Sequence, residues 1–148
     1  MIALIQRVSE ARVEVDGEVV GRIGPGMLAF VAVERGDGEA QARRMLERIL
    51  GYRVFADDQG RMNRCLRDVG GGLLLVSQFT LAADTTSGMR AGFTGAASPE
   101  DGEREFSRLI EMARAAYSPV ETGRFRTHMQ VHLVNDGPVT FHLRVAPA

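Results

Sequence analysis

Met129-Gln130-Val131-His132-Leu133-Val134-Asn135-Asp136-Gly137-Pro138-Val139-Thr140-Phe141-His142-Leu143-Arg144-Val145 is the stretch on which the reading of this chain turns. Met129, Val131 and Leu133 alternate with Gln130 and His132; Val139, Phe141, Leu143 and Val145 alternate with Thr140, His142 and Arg144. Both halves carry the period of two that marks half-buried strands. Asn135-Asp136-Gly137-Pro138 breaks them apart. Asp-Gly alone makes an ordinary tight turn. Pro138 removes a backbone donor and restricts Gly137, and Gly-Pro is a bond that takes the cis form at low cost. A surface turn with a trans proline fits the local sequence equally well.

Outward from this stretch, the chain divides into short apolar segments and two helical ones. Ile2 to Val8 reads as a first strand. Arg12-Val13-Glu14-Val15 and Glu18-Val19-Val20 flank Asp16-Gly17, a two-residue hairpin signal. Gly24-Pro25-Gly26 turns into Met27-Leu28-Ala29-Phe30-Val31-Ala32-Val33, a candidate central strand. Glu39 to Tyr52 places Ala42, Met45, Leu46, Ile49 and Leu50 at helical spacing, with Arg43, Arg44, Glu47 and Arg48 on the other face. An extended Arg53-Val54-Phe55 leads to a turn at Asp57-Asp58-Gln59-Gly60. Leu73-Leu74-Leu75-Val76, behind Gly70-Gly71-Gly72, reads as a buried strand. The polar loop from Ala83 to Ala97 is long enough to suggest function. Ser98-Pro99-Glu100-Asp101 then opens a helix with Ser at the N-cap and Pro at its first position, and Phe106, Leu109, Ile110, Ala113 and Tyr117 form its apolar stripe. The expectation is a single α+β domain over residues 1–148, an antiparallel sheet curling toward a barrel with two helices outside.

The chain has 148 residues, 45% hydrophobic and 25% charged, which is ordinary for one globular domain. No apolar run reaches the ~20 residues of a membrane span, and no signal peptide is expected. Cys65 is the single cysteine, leaving neither an internal disulfide nor a cysteine metal cluster. It lies among Arg61, Arg64 and Arg67, so it is either an incidental thiol or a somewhat activated one. A cytoplasmic enzyme fits this composition. The net charge of −1 argues against a protein that coats nucleic acid, although all eighteen basic residues are arginine. Between Ala40 and Arg67, seven arginines face three acids; this stretch suits either an RNA backbone or a solvated helix face with a basic loop.

Hydroxyls and an amide at the exit of a buried strand are placed where scaffolds present sites, and Ser77-Gln78-Phe79-Thr80-Leu81 occupies such an exit. Taken alone, Ser77 and Thr80 also suit a strand end structurally. Together with Asn135-Asp136-Gly137-Pro138-Val139-Thr140, the segment closely resembles the D-aminoacyl-tRNA deacylase family. Met1-Ile2-Ala3-Leu4-Ile5-Gln6-Arg7-Val8, Leu50-Gly51-Tyr52-Arg53-Val54-Phe55, Gly88-Met89-Arg90, Ala97-Ser98-Pro99 and Thr122-Gly123-Arg124-Phe125 are similar to that family too, so the resemblance spans nearly the whole chain.

Three chemistries compete. Were the last two strands a hairpin centred on Gly137, His132 and His142 would lie opposite one another with His128 further along, but a zinc site needs a third ligand and supporting partners; no metal is expected. A nucleophilic Ser77 or Thr80 needs a base within reach, and neither motif contains a histidine. The third route uses the substrate: on an aminoacyl-tRNA ester, the neighbouring ribose hydroxyl helps position or activate water, and the protein orients the ester and stabilises the oxyanion with backbone N–H groups.

The resemblance implies this third route. It implies hydrolysis of D-aminoacyl-tRNA to free D-amino acid and tRNA, with glycyl-tRNA mischarged on alanine tRNA as a further substrate. The catalytic residues would be Ser77, Gln78, Phe79 and Thr80, acting mainly through the backbone. A cis Gly137-Pro138 from the partner subunit of a homodimer would reject L-substrates. Asn135, Val139 and Thr140 would surround that dipeptide and Arg7 would orient it, while Phe125 and Met129 would line the pocket for the terminal adenine. No cofactor is implied. The partners would be a second copy of the chain and the 3′ end of aminoacyl-tRNA, with no membrane and no DNA. An RNA-binding module without catalysis fits poorly, with aromatics at 6% and no Trp; an esterase or amidase for small molecules is the enzymatic alternative.

Overall fold

The computed structural model describes all residues, 1–148. Strand β1 (Ile2–Val15) is the spine of the molecule. Its first half pairs antiparallel with β3 (Gly26–Ala32), its second half with β2 (Glu18–Ile23). Asp16 and Gly17 join β1 to β2 with φ of 51° and 79°, the left-handed pair that a tight two-residue turn requires. Helix α1 (Glu39–Gly51) follows and buries Ala42, Met45, Leu46, Ile49 and Leu50, the stripe read from the sequence. A small hairpin, β4 (Phe55–Ala56) with β5 (Met62–Arg64), and a short helix α2 (Leu66–Val69) lead to β6 (Gly72–Ser77). After a single 3-10 turn at Phe79–Ala82 and the polar loop come α3 (Pro99–Ala116), β7 (Val120–Thr122) and β8 (Gln130–Arg144). Ser98 caps α3, its hydroxyl accepting from the Asp101 N–H at 3.2 Å.

Two expectations are corrected. The sheet is mixed: β6 runs parallel to β3, and β7 parallel to β6. The connections explain this, because each spans a helix and so crosses over rather than reversing. Three helices, not two, accompany the sheet. Asn135-Asp136-Gly137-Pro138 forms no hairpin. β8 continues through it as one fifteen-residue strand, antiparallel to β1 from Gln130↔Glu14 to Arg144↔Ile2. The register passes from Gln6↔Thr140 to Val8↔Asn135, so a step of two residues on β1 faces a step of five on β8 and the excess bulges outward.

The sheet curls until Gly21 of β2 packs on the Thr122 backbone of β7, nearly closing a barrel. Its two faces bury separate cores. Met27, Ala29, Val31, Leu73 and Leu75 face the helices; Leu28, Leu74 and Val76 face Val8, Ala11, Val13 and Ile23 inside the curl. β6 is therefore covered on both sides, as its uninterrupted apolar run implies.

The Met1 ammonium is buried, donating to Glu34 Oε2 at 3.0 Å, Asp37 Oδ1 at 2.9 Å and the Val145 carbonyl at 2.7 Å. Arg144 also donates to Glu34, at 2.9 Å. Burial pushes the Glu34 carboxyl up, but hydrogen bonds from Arg144 and the ammonium outweigh it and hold the group below its ordinary value. A carboxyl lowered in the folded state contributes stability that is present above its unfolded pKa and lost as pH falls through the folded one. Stability is thus expected to decline as pH falls through and below the ordinary carboxylate range, and Glu34→Gln to flatten that decline. Thermal melts across this range check it; identical slopes for both proteins would refute it.

Candidate functional site

Because β3 and β6 are parallel, their C-terminal ends lie side by side, with Val31 paired to Ser77. The Gln78 N–H continues the ladder, donating to the Val31 carbonyl at 2.7 Å. The chain then winds into the 3-10 turn. Its first closed bond runs from Leu81 N–H to the Gln78 carbonyl at 3.1 Å, so the N–H groups of Phe79 and Thr80 precede it and have no acceptor within the turn. Two backbone donors at the end of a buried strand are thus left over by the turn's own hydrogen bonds.

Beside them lies a cavity of about 430 Å³, a volume suited to a nucleoside-sized group. Ser77, Gln78 and Phe79 form one wall; Phe106 and the start of α3 form another, and Phe125 and Met129 close it. Phe125 stacks on Phe106 with centroids 6.2 Å apart and planes at 30°. Gly123 permits this arrangement, since a Cβ there would sit 2.7 Å from the Met129 sulfur. The structure thus brings Ser77, Gln78, Phe79, Phe125 and Met129 together. Thr80 does not line the cavity; it is exposed, and its hydroxyl accepts from the Gln78 amide. Neither the Ser77 nor the Thr80 hydroxyl hydrogen-bonds a histidine or a carboxylate.

A second cluster forms around the bulge. Asp136, Gly137 and Pro138 are exposed, the Gly137–Pro138 bond is cis, and Gly137 has φ of +136°. Arg7 anchors the bulge from β1: its Nε donates to the Asp136 carbonyl at 3.0 Å and its Nη1 to the Val54 carbonyl at 2.8 Å. Asn135 clips the other side. Its Oδ1 accepts from the Val139 N–H at 3.1 Å, and its amide donates to the Thr140 hydroxyl at 2.9 Å, which also accepts from Gln6 at 3.1 Å. Arg7, Asn135, Val139 and Thr140 thus converge on Gly137-Pro138. None of them lines the cavity of their own chain.

The continuous β8 also separates the histidines. His132 pairs with Arg12 and His142 with Leu4, eight β1 residues or about 26 Å apart, so the facing pair of a hairpin does not exist. His132 instead sits 3.3 Å from Glu14, which Arg12 contacts at 3.0 Å. The Arg12 hydrogen bond is the main cause holding the Glu14 carboxyl below its ordinary value, against a burial contribution that raises it; His132 lowers it further. His128, Arg126 and Phe106 line the cavity and were not read from the sequence as parts of a pocket. The polar residues that follow Thr122-Gly123-Arg124-Phe125, just before a strand begins, were the available signal. In the basic stretch, Arg43, Arg44 and Arg64 pair with Glu39, Glu47 and Asp58, which makes much of it a solvated, internally paired surface.

The family model described as D-Tyr-tRNA(Tyr) deacylase matches residues 4–144. A D-aminoacyl-tRNA deacylase of Alkalilimnicola ehrlichii is 68% identical over 148 residues, covering 100% of this chain and 99% of the relative. One from Stenotrophomonas maltophilia is 69% identical over 145 residues, covering 97% and 99%. Among solved structures, the c-Myc DNA Unwinding Element Binding Protein superposes with a TM-score of 0.94 at 36% identity, covering 100% of both chains. A probable eukaryotic D-amino acid tRNA deacylase shares the fold with a TM-score of 0.75 at 14% identity, covering 96% of this chain and 98% of that one.

Proposed function

The chain belongs to the D-Tyr-tRNA(Tyr) deacylase family, and from that membership we propose that it hydrolyses the ester joining a D-amino acid to the 3′ end of tRNA. The observation that carries this reading is the joining of Ser77, Gln78 and Phe79 to Phe125 and Met129 around one cavity. The terminal adenine enters between Phe125 and Met129, since an unstacked base is held by an aromatic face. The ester carbonyl then lies at the start of the 3-10 turn, where the Phe79 and Thr80 N–H groups receive the oxyanion. Water attacks that carbonyl, positioned by the neighbouring ribose hydroxyl, and the ester oxygen leaves with a proton as free tRNA. The protein's contribution is orientation and oxyanion stabilisation.

Selection against L-substrates is assigned to Gly137-Pro138 of a second copy. The dipeptide is exposed, firmly anchored and outside its own chain's cavity, as a segment that works in a neighbour must be. Its carbonyls form a wall without side chains that accepts the ammonium of the D-form. The side chain of an L-residue, with its ammonium in the same place, meets backbone, so specificity arises by exclusion. Glycine has nothing to exclude, so glycyl-tRNA mischarged on alanine tRNA passes. The DNA element named for one structural relative suggests a second reading. The net charge of −1 and a cavity sized for one nucleoside favour a single RNA end over a duplex.

The test is release of D- and L-tyrosine from tRNA, measured side by side with the purified protein. Rapid release of D-tyrosine with little L-tyrosine is expected; equal release, or cleavage of simple esters alone, would reject the reading. Thr80→Ala probes the mechanism in the same assay. Its hydroxyl has no base, so kcat is expected to stay within about tenfold of wild type, whereas loss of a true nucleophile costs about 10⁴-fold or more. A loss of that size in a folded variant would make Thr80 the nucleophile.

A further inference from the structure

We infer that Arg126 holds the phosphate on the 5′ side of the terminal adenosine, the diester that joins it to the rest of the tRNA. The inference rests on the reading above, in which the cavity takes that adenosine. Arg126 lines the cavity within the Phe125–Met129 segment. It is not part of the Ser77–Phe79 wall, to which the ester and the second copy's Gly137-Pro138 are assigned.

The charges around the cavity single out this residue. Ser77, Gln78, Ser98, Thr127 and His128 are the other polar side chains that line it, and no carboxylate is among them. Arg126 is therefore the cavity's one permanent charge. Of the substrate's parts, the adenine, ribose and ester are uncharged, and the amino acid carries an ammonium that a guanidinium repels. The phosphodiester is the part that it attracts, and the planar fork of arginine matches two phosphate oxygens.

The backbone adds an independent observation. Arg126 has φ of 59°, and Asp16, in the β1–β2 turn, is the one other residue besides glycine with a positive φ. Glycine adopts this conformation without steric cost, and residues with a Cβ do not. What arginine contributes here therefore lies in its side chain. That side chain is only loosely engaged. Its Nη2 donates to Glu100 Oε1 at 3.5 Å, between groups 51% and 79% exposed, which makes a weak pair. The bond leaves Nε and Nη1 free for a ligand.

The test measures competitive inhibition of D-tyrosyl-tRNA hydrolysis by adenosine and by the methyl ester of adenosine 5′-monophosphate, which carries one diester charge. Wild type is expected to bind the phosphate ester about tenfold more tightly than adenosine, and added salt to erode that difference. Arg126→Gln should abolish the difference while the Ki of adenosine stays within about twofold. Arg126→Gly also lacks the guanidinium but relaxes the backbone, so it should lose the difference in a protein that melts no lower than wild type. A wild type that does not favour the phosphate ester would overturn the inference, as would an Arg126→Gly that still does. So would equal weakening of both inhibitors, which would make Arg126 a support for the base instead. A wild-type protein that releases no D-tyrosine from tRNA would overturn the functional reading, and this inference with it.

Discussion

Gly137→Ala is expected to lower kcat/KM for D-tyrosyl-tRNA by about a hundredfold, the size of loss that follows when a positioning element moves by about 1 Å. Gly137 has φ of +136°, a conformation that L-residues with a Cβ rarely adopt. A Cβ there would sit 2.8 Å from Val139 Cγ2 and 3.0 Å from an Arg7 guanidinium nitrogen. Both neighbours define the bulge, since Val139 N–H is held by Asn135 and Arg7 holds the Asp136 carbonyl. The added methyl therefore displaces the dipeptide whose carbonyls are proposed to form the selective wall. The bulge is exposed, so the cost to the fold should be only about 1–3 kcal/mol. Single-turnover hydrolysis with urea denaturation as a companion measures both. Wild-type kcat/KM in a folded Gly137→Ala would remove Gly137 from the site.

Gly26→Ala is expected to have the largest effect on stability, about 3 kcal/mol or more. Gly26 pairs with Gly72 where the parallel ladder of β3 and β6 begins. A Cβ on Gly26 would overlap the Gly72 carbonyl oxygen and lie 2.6 Å from the Gly72 nitrogen. Backbone cannot swing away as a side chain can, so the two strands must separate. Gly72 is confined from its other side, where a Cβ would meet Ile23 Cβ at 2.8 Å. Gly24 supplies the control: a Cβ there meets nothing within 4 Å, and Gly24→Ala should cost under about 1 kcal/mol. Urea midpoints of the two variants decide the matter, and equal midpoints would refute it.

These glycines show how far local sequence can be read. Gly24-Pro25-Gly26 and Gly70-Gly71-Gly72 were legible as breaks, and the structure does turn at both. That the two breaks pack backbone against backbone could not be read, because each glycine run looks the same whether its Cβ-less face meets solvent or a neighbour. The parallel pairing was hidden for a related reason. Leu73-Leu74-Leu75-Val76 announces burial on both faces but not the direction of the strand beside it. The site divided along the same line. Ser77-Gln78-Phe79 at a strand exit and the odd residues of Asn135 to Pro138 stood out within their own segments. His128, Arg126 and Phe106 belong to the cavity only because the linker before β8 and the start of α3 meet at the ends of β3 and β6.

By itself, the sequence determined the elements whose signals are local: the turn at Asp16-Gly17, the apolar stripe of α1, the Ser98-Pro99 start of α3, and the two-residue alternation on both sides of Gly137. Only the tertiary structure decided that Asn135 to Pro138 bulges instead of reversing the chain. A break in alternation becomes a turn when the following strand pairs back on its own neighbour. It becomes a bulge when another strand offers an edge long enough to carry both halves. β1 offers that edge over almost its whole length, from Ile2 to Glu14. The hydrogen bonds that β8 makes to β1 then hold Gly137-Pro138 outward, anchored by Arg7, where a turn would have folded the dipeptide back over its own sheet.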